Sequence, residues 1–307
     1  MIEHAPYGSL MSDASAFTRS RVILSAAELD IFTLLDGAPG TSTALAKRAG
    51  FNARALSRLL DALASLGLLA KNGGSYSLTE SGALLSSRHP GSIRPMVLHM
   101  NALWDSWGDL SRVVTKGLKG KRKHASRMDA ETLAAFIGAM DVIGRDLSLE
   151  IADSCDLDRY RRLLDVGGAS GTYTAAFLRK NTLLRATIFD LGAVIPMARA
   201  KIASEGLSER VDLVPGDFYN DDLPGGHDLV LLSAIIHQND PGQNVALYRK
   251  AWTALLPGGT ILIRDHIMDE SRTSPSAGAL FAINMLVNTR GGSTYTFEEV
   301  RGGLTEA

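Results

Sequence analysis

Hydrophobic and polar positions along this chain follow two rhythms, and the change falls near residue 160. Upstream, Leu56, Leu59, Leu60, Leu63 and Leu66 sit at i, i+3, i+4, i+7 and i+10, one face of a helix. Asn52 is placed to cap that helix and Gly67 to stop it, while Thr43 or Ser42 can cap a shorter helix ending at Gly50. The stretch from Leu68 to Leu78 is interrupted by Asn72-Gly73-Gly74, which is hairpin turn chemistry. Helix, turn, helix and hairpin predict a winged helix within residues 41–85. Residues 96–150 read as long connecting helices, with Trp104 and Trp107 one turn apart and Phe136, Met140 and Ile143 on a second stripe. Downstream, apolar runs at 162–166, 185–189, 211–214, 228–233 and 260–264 alternate with helical stretches. Buried strands separated by helices predict a parallel sheet covered on both faces, with ligands bound at the carboxyl ends of the strands. The expected fold class is therefore α/β: a Rossmann-like, doubly wound, mostly parallel sheet behind an N-terminal all-α/winged-helix domain. The divisions fall at residues 1–95, 96–150 and 151–307.

Composition narrows the function classes. A chain of 307 residues, 45% hydrophobic and 21% charged, suits about two globular domains. A net charge of −1 provides no global field toward nucleic acid or anionic lipid. Residues 1–95 carry nine Lys or Arg against seven Asp or Glu, so packing or dimerisation is the favoured role of the winged helix over DNA reading. The tract at 116–123 has five positive charges, but Gly117 and Gly120 make it a solvated loop. Cys155 is the only cysteine, which excludes an internal disulfide and a cysteine metal cage; no metal site is expected. No basic-then-apolar leader and no apolar run near the roughly 20 residues of a bilayer span appear, so the expectation is a cytoplasmic protein with no membrane partner.

Candidate chemistry gathers at the strand ends. In "LLDVGGASGTY" a strand runs into Gly167, Gly168 and Gly171, spaced G-G-x-x-G and not as the dinucleotide fingerprint, with Asp165 before them and Ser170 and Thr172 available as caps. Asp190 closes the second strand nineteen residues after Gly171, where a carboxylate can accept from both hydroxyls of a ribose. The third strand ends in "VPGDFY", where Asp217 and Phe218 can bracket an adenine; a capping aspartate and a core aromatic are the alternatives. His237 in "IIHQND" lies just past the fourth strand, and Asp265 follows the fifth in "IRDH".

The segments "DVGGASG", "FDLG", "PGDFY", "LLSAIIHQND" and "LLPGGTILIRDH" resemble, in order and spacing, class I S-adenosylmethionine-dependent O-methyltransferases. The resemblance covers essentially the whole chain, and is greatest to the group with an N-terminal winged-helix dimerisation domain, which includes plant caffeic acid-type and bacterial polyketide and carotenoid enzymes. It implies S-adenosyl-L-methionine as cofactor, with Gly167, Gly168, Gly171, Asp190, Leu191, Asp217, Phe218 and Ser233 around it, and a homodimer joined through the N-terminal helices. It also implies His237 as general base, with Asp265 beside it, acting on the hydroxyl of an aromatic or apolar small molecule. A phenol titrates near 10, so a base is needed at neutral pH, and an imidazole suits that task. Asp265 can instead pair with Arg264, and His266 is discounted because neighbouring strand residues face opposite ways. Met285 and Asn288 are candidate substrate residues, and Trp104, Trp107, His99 and Met140 can close the acceptor pocket.

The chain departs from the plant pattern at Gln238 and Asn239, where a tryptophan contact to the cofactor becomes a smaller polar group, and at Thr294, where a second acid is replaced. Relatives continue past "TEA" with two more strands, so the catalytic domain is expected to be truncated at its C-terminus. Two other readings stay open: a thiol or other readily ionised acceptor, and a non-catalytic winged-helix regulator or scaffold with a vestigial cofactor site, reading DNA through Arg48, Arg54 and Arg58.

Overall fold

The computed structural model describes residues 7–117 and 128–307, so residues 118–123 of the basic tract lie outside the described residues. The chain forms two compact units that divide between Ala102 and Leu103. The first contains α1 (Tyr7–Glu28), α2 (Ile31–Leu35), β1 (Gly40–Thr41), α3 (Ser42–Ala49), α4 (Ala53–Ser65), β2 (Leu69–Asn72), β3 (Ser75–Leu78), α5 (Glu80–Ala83) and α6 (Arg94–Ala102). Asn52 caps α4 by accepting from the Ala55 amide at 3.0 Å, and Leu56, Leu60 and Leu63 enter the core as their spacing predicts. The cap of α3 is Thr41, not Ser42 or Thr43: it has the extended backbone that an N-cap needs, and its hydroxyl accepts from Ala44 N at 3.3 Å. β2 and β3 form the antiparallel wing, and β1 adds to the other side of β3. Two residues are too few to show a period, so the sequence does not reveal β1. Along α1, Tyr7, Leu10, Met11 and Phe17 are exposed large hydrophobic residues.

The second unit begins with α7 (Trp104–Gly108), α8 (Leu110–Lys116) and α9 (Ala130–Ser154). The stretch 96–150 is thus divided, since α6 goes with the first unit and α7 to α9 with the second. Along α9 the buried line runs through Leu133, Ile137, Gly144, Ser148 and Ala152, whereas Ile143 of the expected stripe is 43% exposed. Gly144 sets that rotation, because its bare backbone admits the side chains of Tyr173 and Thr172.

The sheet follows as β4 (Arg162–Val166), α10 (Thr172–Lys180), β5 (Arg185–Asp190), α11 (Ile195–Ser204), β6 (Val211–Pro215), β7 (His227–Ser233), α12 (Pro241–Ala254) and β8 (Leu255–Arg264). Its order is β6-β5-β4-β7-β8 with every pair parallel. All five expected strands are present; β8 starts earlier than Thr260 because Leu255 pairs with His227 ahead of a register shift. Alternate strand residues feed two cores. Leu163, Ile188, Leu229 and Leu231 pack with Ala152, Phe177 and Ile202 on one face, and Leu164, Val166, Val230 and Leu232 pack with Leu247, Tyr248 and Ala251 on the other. Beyond β8 come β9 (Ile267–Met268), α13 (Ser276–Asn288), β10 (Tyr295–Thr296) and α14 (Phe297–Glu306), with β9 and β10 paired in parallel. Among the described residues no helix is long and apolar enough to cross a membrane.

Candidate active site

The carboxyl ends of β4, β5, β7 and β8 carry most of the chemistry. The turn after β4 is tightly packed. Gly167 has a φ of +67°, and a Cβ there would lie 2.6 Å from Ile235 Cδ1 and 3.4 Å from the Phe218 ring. At Gly168 a Cβ would lie 2.8 Å from the Asp165 carboxyl carbon, so this turn tolerates no side chain without rearrangement. Gly171, not Ser170 or Thr172, is the N-cap of α10. The Thr172 hydroxyl is instead drawn away to Asp141 of α9, donating at 2.6 Å, and Lys201 of α11 reaches the same carboxylate oxygen at 3.3 Å.

Asp190 is buried at the end of β5, where its two oxygens accept from the Ala169 amide at 2.8 Å and the Leu191 amide at 2.7 Å. Burial raises its pKa, partly offset by those two amides. Leu191 packs beside Leu133, Ile137 and Val194. Asp217 begins a turn that no helix follows, and its carboxylate accepts from the Tyr219 amide at 3.0 Å and the Asn220 side chain at 2.8 Å. Phe218 packs against the core that holds Ile235 and beside Gly167. Ser233 ends β7 with a buried hydroxyl that has no hydrogen-bond partner. A side-chain-free turn, a strand-end carboxylate, an aromatic wall and an orphaned hydroxyl suit a nucleoside with a polar tail.

His237 lies in the turn after β7, and its Nδ1 is 2.8 Å from an Asp265 oxygen. The Asp265 side chain is 1% exposed and also accepts from the His266 amide at 2.8 Å and the His237 amide at 3.3 Å. Burial pushes its pKa up, but the His237 hydrogen bond and charge, with these amides, hold it below the usual carboxylate range. An ionised Asp265 makes Nδ1 the protonated nitrogen and leaves Nε2 as an acceptor. Arg264, the competing partner, turns to Tyr173 instead: its guanidinium lies 5.0 Å from that ring and donates to the tyrosine hydroxyl. Thr294 is buried, and its carbonyl accepts from Arg272 at 3.1 Å.

His266 does not follow strand parity, because β8 ends at Arg264 and residues 265 and 266 have left the pleat. The His266 ring stacks on Phe281 of α13 at 4.1 Å, and Phe281 meets His237 edge-on at 4.9 Å. Burial lowers the His266 pKa, favouring the neutral ring. Met285 and Asn288 are buried one and two turns further along α13 from Phe281, and Asn288 Oδ1 has no partner. Trp107 reaches this helix through a 3.0 Å hydrogen bond to Asn284, while Trp104 lies one turn earlier on α7. Met140 is partly buried on α9, one turn before Gly144 and so on the side facing α10; His99 is buried in the N-terminal unit.

Asn239 is the main residue whose role the sequence hides. It is fully buried, its amide accepts from the Tyr219 hydroxyl and donates to Asn244 at 2.9 Å, and Asn244 donates to the Ile236 carbonyl at 3.1 Å. The Tyr295 hydroxyl donates to the Asn239 carbonyl. Asn239 therefore braces the His237 turn from behind and takes up no exposed position at the cofactor cleft. Among the described residues no group of acidic, cysteine or histidine side chains is arranged to hold a metal.

Two sequence families match the chain: an O-methyltransferase dimerisation domain over residues 11–88 and an O-methyltransferase domain over residues 118–307. The chain is 33% identical to the tetracenomycin polyketide synthesis 8-O-methyl transferase of Streptomyces glaucescens, over 98% of this chain and 90% of that one. It is 30% identical to the 3-hydroxy-5-methyl-1-naphthoate 3-O-methyltransferase of Streptomyces sahachiroi, over 97% and 88%. The fold superposes on that of human N-acetylserotonin methyltransferase, solved in complex with S-adenosylmethionine, with a TM-score of 0.85 at 25% identity, covering 99% of this chain and 92% of that one.

Proposed function

Since this chain belongs to the S-adenosylmethionine-dependent O-methyltransferases, we propose that it methylates a hydroxyl of an aromatic small molecule with His237 as general base. The observation that carries this reading is the 2.8 Å contact between His237 Nδ1 and the buried Asp265 carboxylate. The cofactor supplies an electrophilic methyl group on a sulfonium, so the chain has to position the acceptor and take up its proton. Nε2 of His237 receives the hydroxyl proton as the oxygen attacks, and the Asp265 carboxylate stabilises the resulting imidazolium. Asp265 touches neither reactant and acts as a positioning residue through the imidazole. Phe281, His266, Met285 and Asn288 line the acceptor side, with Trp104, Trp107 and Met140 contributed by α7 and α9. An aromatic acceptor is favoured by the stacked His266 and Phe281 rings and by the polyketide and naphthoate acceptors named for the two Streptomyces relatives.

On the cofactor side, Gly167, Gly168 and Gly171 give the turn its close approach, Asp190 and Leu191 hold the ribose end, and Asp217 and Phe218 hold the adenine. Ser233 faces the tail. The winged helix serves as the dimerisation surface, with Leu10 and Phe17 of α1 in the apolar face that a second copy covers. The protein acts in the cytoplasm on a small molecule, without nucleic-acid or membrane partners.

Calorimetry and turnover test this together. Asp190→Ala is expected to weaken S-adenosylhomocysteine binding about tenfold or more, as loss of two hydroxyl contacts implies. His237→Ala is expected to keep that binding within about twofold while turnover falls about 10²–10⁴-fold. A His237→Ala enzyme with full turnover at neutral pH excludes the base.

A further inference from the structure

We propose that Arg264 and Ser233 together form a carboxylate receptor at the ends of β7 and β8, and that its ligand is the amino-acid tail of the cofactor. This rests on the methyltransferase reading above. Ser233 and Arg264 are register partners in the parallel β7–β8 pair, so their side chains leave the sheet on the same face. The Ser233 hydroxyl and the Arg264 Nε–H are both buried, and neither has a hydrogen-bond partner. Two orphaned donors side by side are rare in a folded interior, because each has given up water for nothing.

The charge strengthens the case. Arg264 bears a full positive charge at any physiological pH, and a part-buried guanidinium normally faces an anion. Its partner is Tyr173, whose hydroxyl accepts one N–H and whose ring centroid lies 5.0 Å from the guanidinium carbon. Asp265, next in sequence, is occupied by His237 and by the amides of His266 and His237. Among the described residues no carboxylate forms an ion pair with Arg264. The tyrosine fixes the fork in place, since Tyr173 is the second residue of α10, the helix that leaves the glycine turn. A planar N–H edge beside a hydroxyl matches a carboxylate in shape and charge. The methionine end of S-adenosylmethionine brings such a carboxylate to the glycine turn, and a carboxylated acceptor is the other source of the same group.

Titration calorimetry separates these cases. The probes are S-adenosylhomocysteine, 5′-methylthioadenosine, which lacks the amino-acid tail, a hydroxynaphthoate, and the naphthol without its carboxyl group. In Arg264→Gln, S-adenosylhomocysteine is expected to lose about tenfold or more in affinity while methylthioadenosine stays within about twofold, because only the charged contact is removed. Arg264→Lys is expected to fall between, and Ser233→Ala, a gentle change, to give a smaller loss with the same selectivity. If hydroxynaphthoate loses affinity and its naphthol and S-adenosylhomocysteine do not, the receptor stands and its ligand is the acceptor. The proposal is overturned if Arg264→Gln and Ser233→Ala both leave every carboxylate ligand unchanged, or weaken each ligand and its carboxyl-free analogue alike. Failure of the unaltered protein to bind either adenosyl compound contradicts the cofactor reading itself.

Discussion

Asp165 lies within β4 and Asp265 just past the end of β8; both carboxylates are buried, and their surroundings drive them apart. Around Asp165 burial dominates; the Thr174 hydroxyl, donating at 2.7 Å, offsets it only in part, Asp190 adds repulsion, and the pKa is pushed up to about 6 from 3.8. Asp265 faces an imidazole and two amides and is held low. The two therefore affect stability in opposite directions. Between about pH 4 and 6 the folded chain retains the Asp165 proton that the unfolded chain releases, so stability falls as pH rises through that window, by about 3 kcal/mol. Asp265 instead adds stability above its ordinary pKa of 3.8, lost as pH falls through its lower folded value. In Asp165→Asn, which keeps an oxygen for Thr174, urea titrations are expected to show the pH 4 to 6 decline flattened. An undiminished decline places its source elsewhere.

At the scale of elements, the His237 turn is held by side chains distant in sequence. Asn239→Ala removes the acceptor of the Tyr219 hydroxyl and the donor to the buried Asn244 side-chain oxygen, at a cost of about 1–3 kcal/mol for that oxygen. A lowered thermal midpoint and a reduced kcat are expected, and an unchanged midpoint with full kcat contradicts the bracing role. The same contrast explains what the sequence discloses. The five strands are legible because Leu229–Leu232 is apolar over its length and Leu163–Val166 is apolar but for Asp165, and a glycine cluster or a strand-end histidine stands out at once. Asn239 pairs with residues 20 and 56 positions away, and Thr172 with Asp141 at 31, so neither link leaves any local spacing. Ile143 leaves the apolar stripe of α9 for a related reason. The register of that helix is set by Gly144, which contributes no apolar signal but admits Tyr173.

For the whole molecule, α1 presents Leu10 at 66% and Phe17 at 59% exposure, within and beside the stretch matched to a dimerisation domain. With Tyr7 and Met11 also exposed on this helix, they form an apolar patch of the kind that suits an association surface. Leu10→Glu combined with Phe17→Glu is expected to convert two chains per particle to one in light scattering; a dimer of unchanged strength places the interface elsewhere. The central claim, that His237 takes the acceptor proton, is tested most directly by the pH dependence of turnover in His237→Gln, with S-adenosylhomocysteine binding confirmed at each pH. The account predicts a loss of about 10²–10⁴-fold near pH 7 that shrinks as pH rises toward about 10, where a phenol ionises unaided. A His237→Gln profile that parallels the parent enzyme at every pH would contradict it.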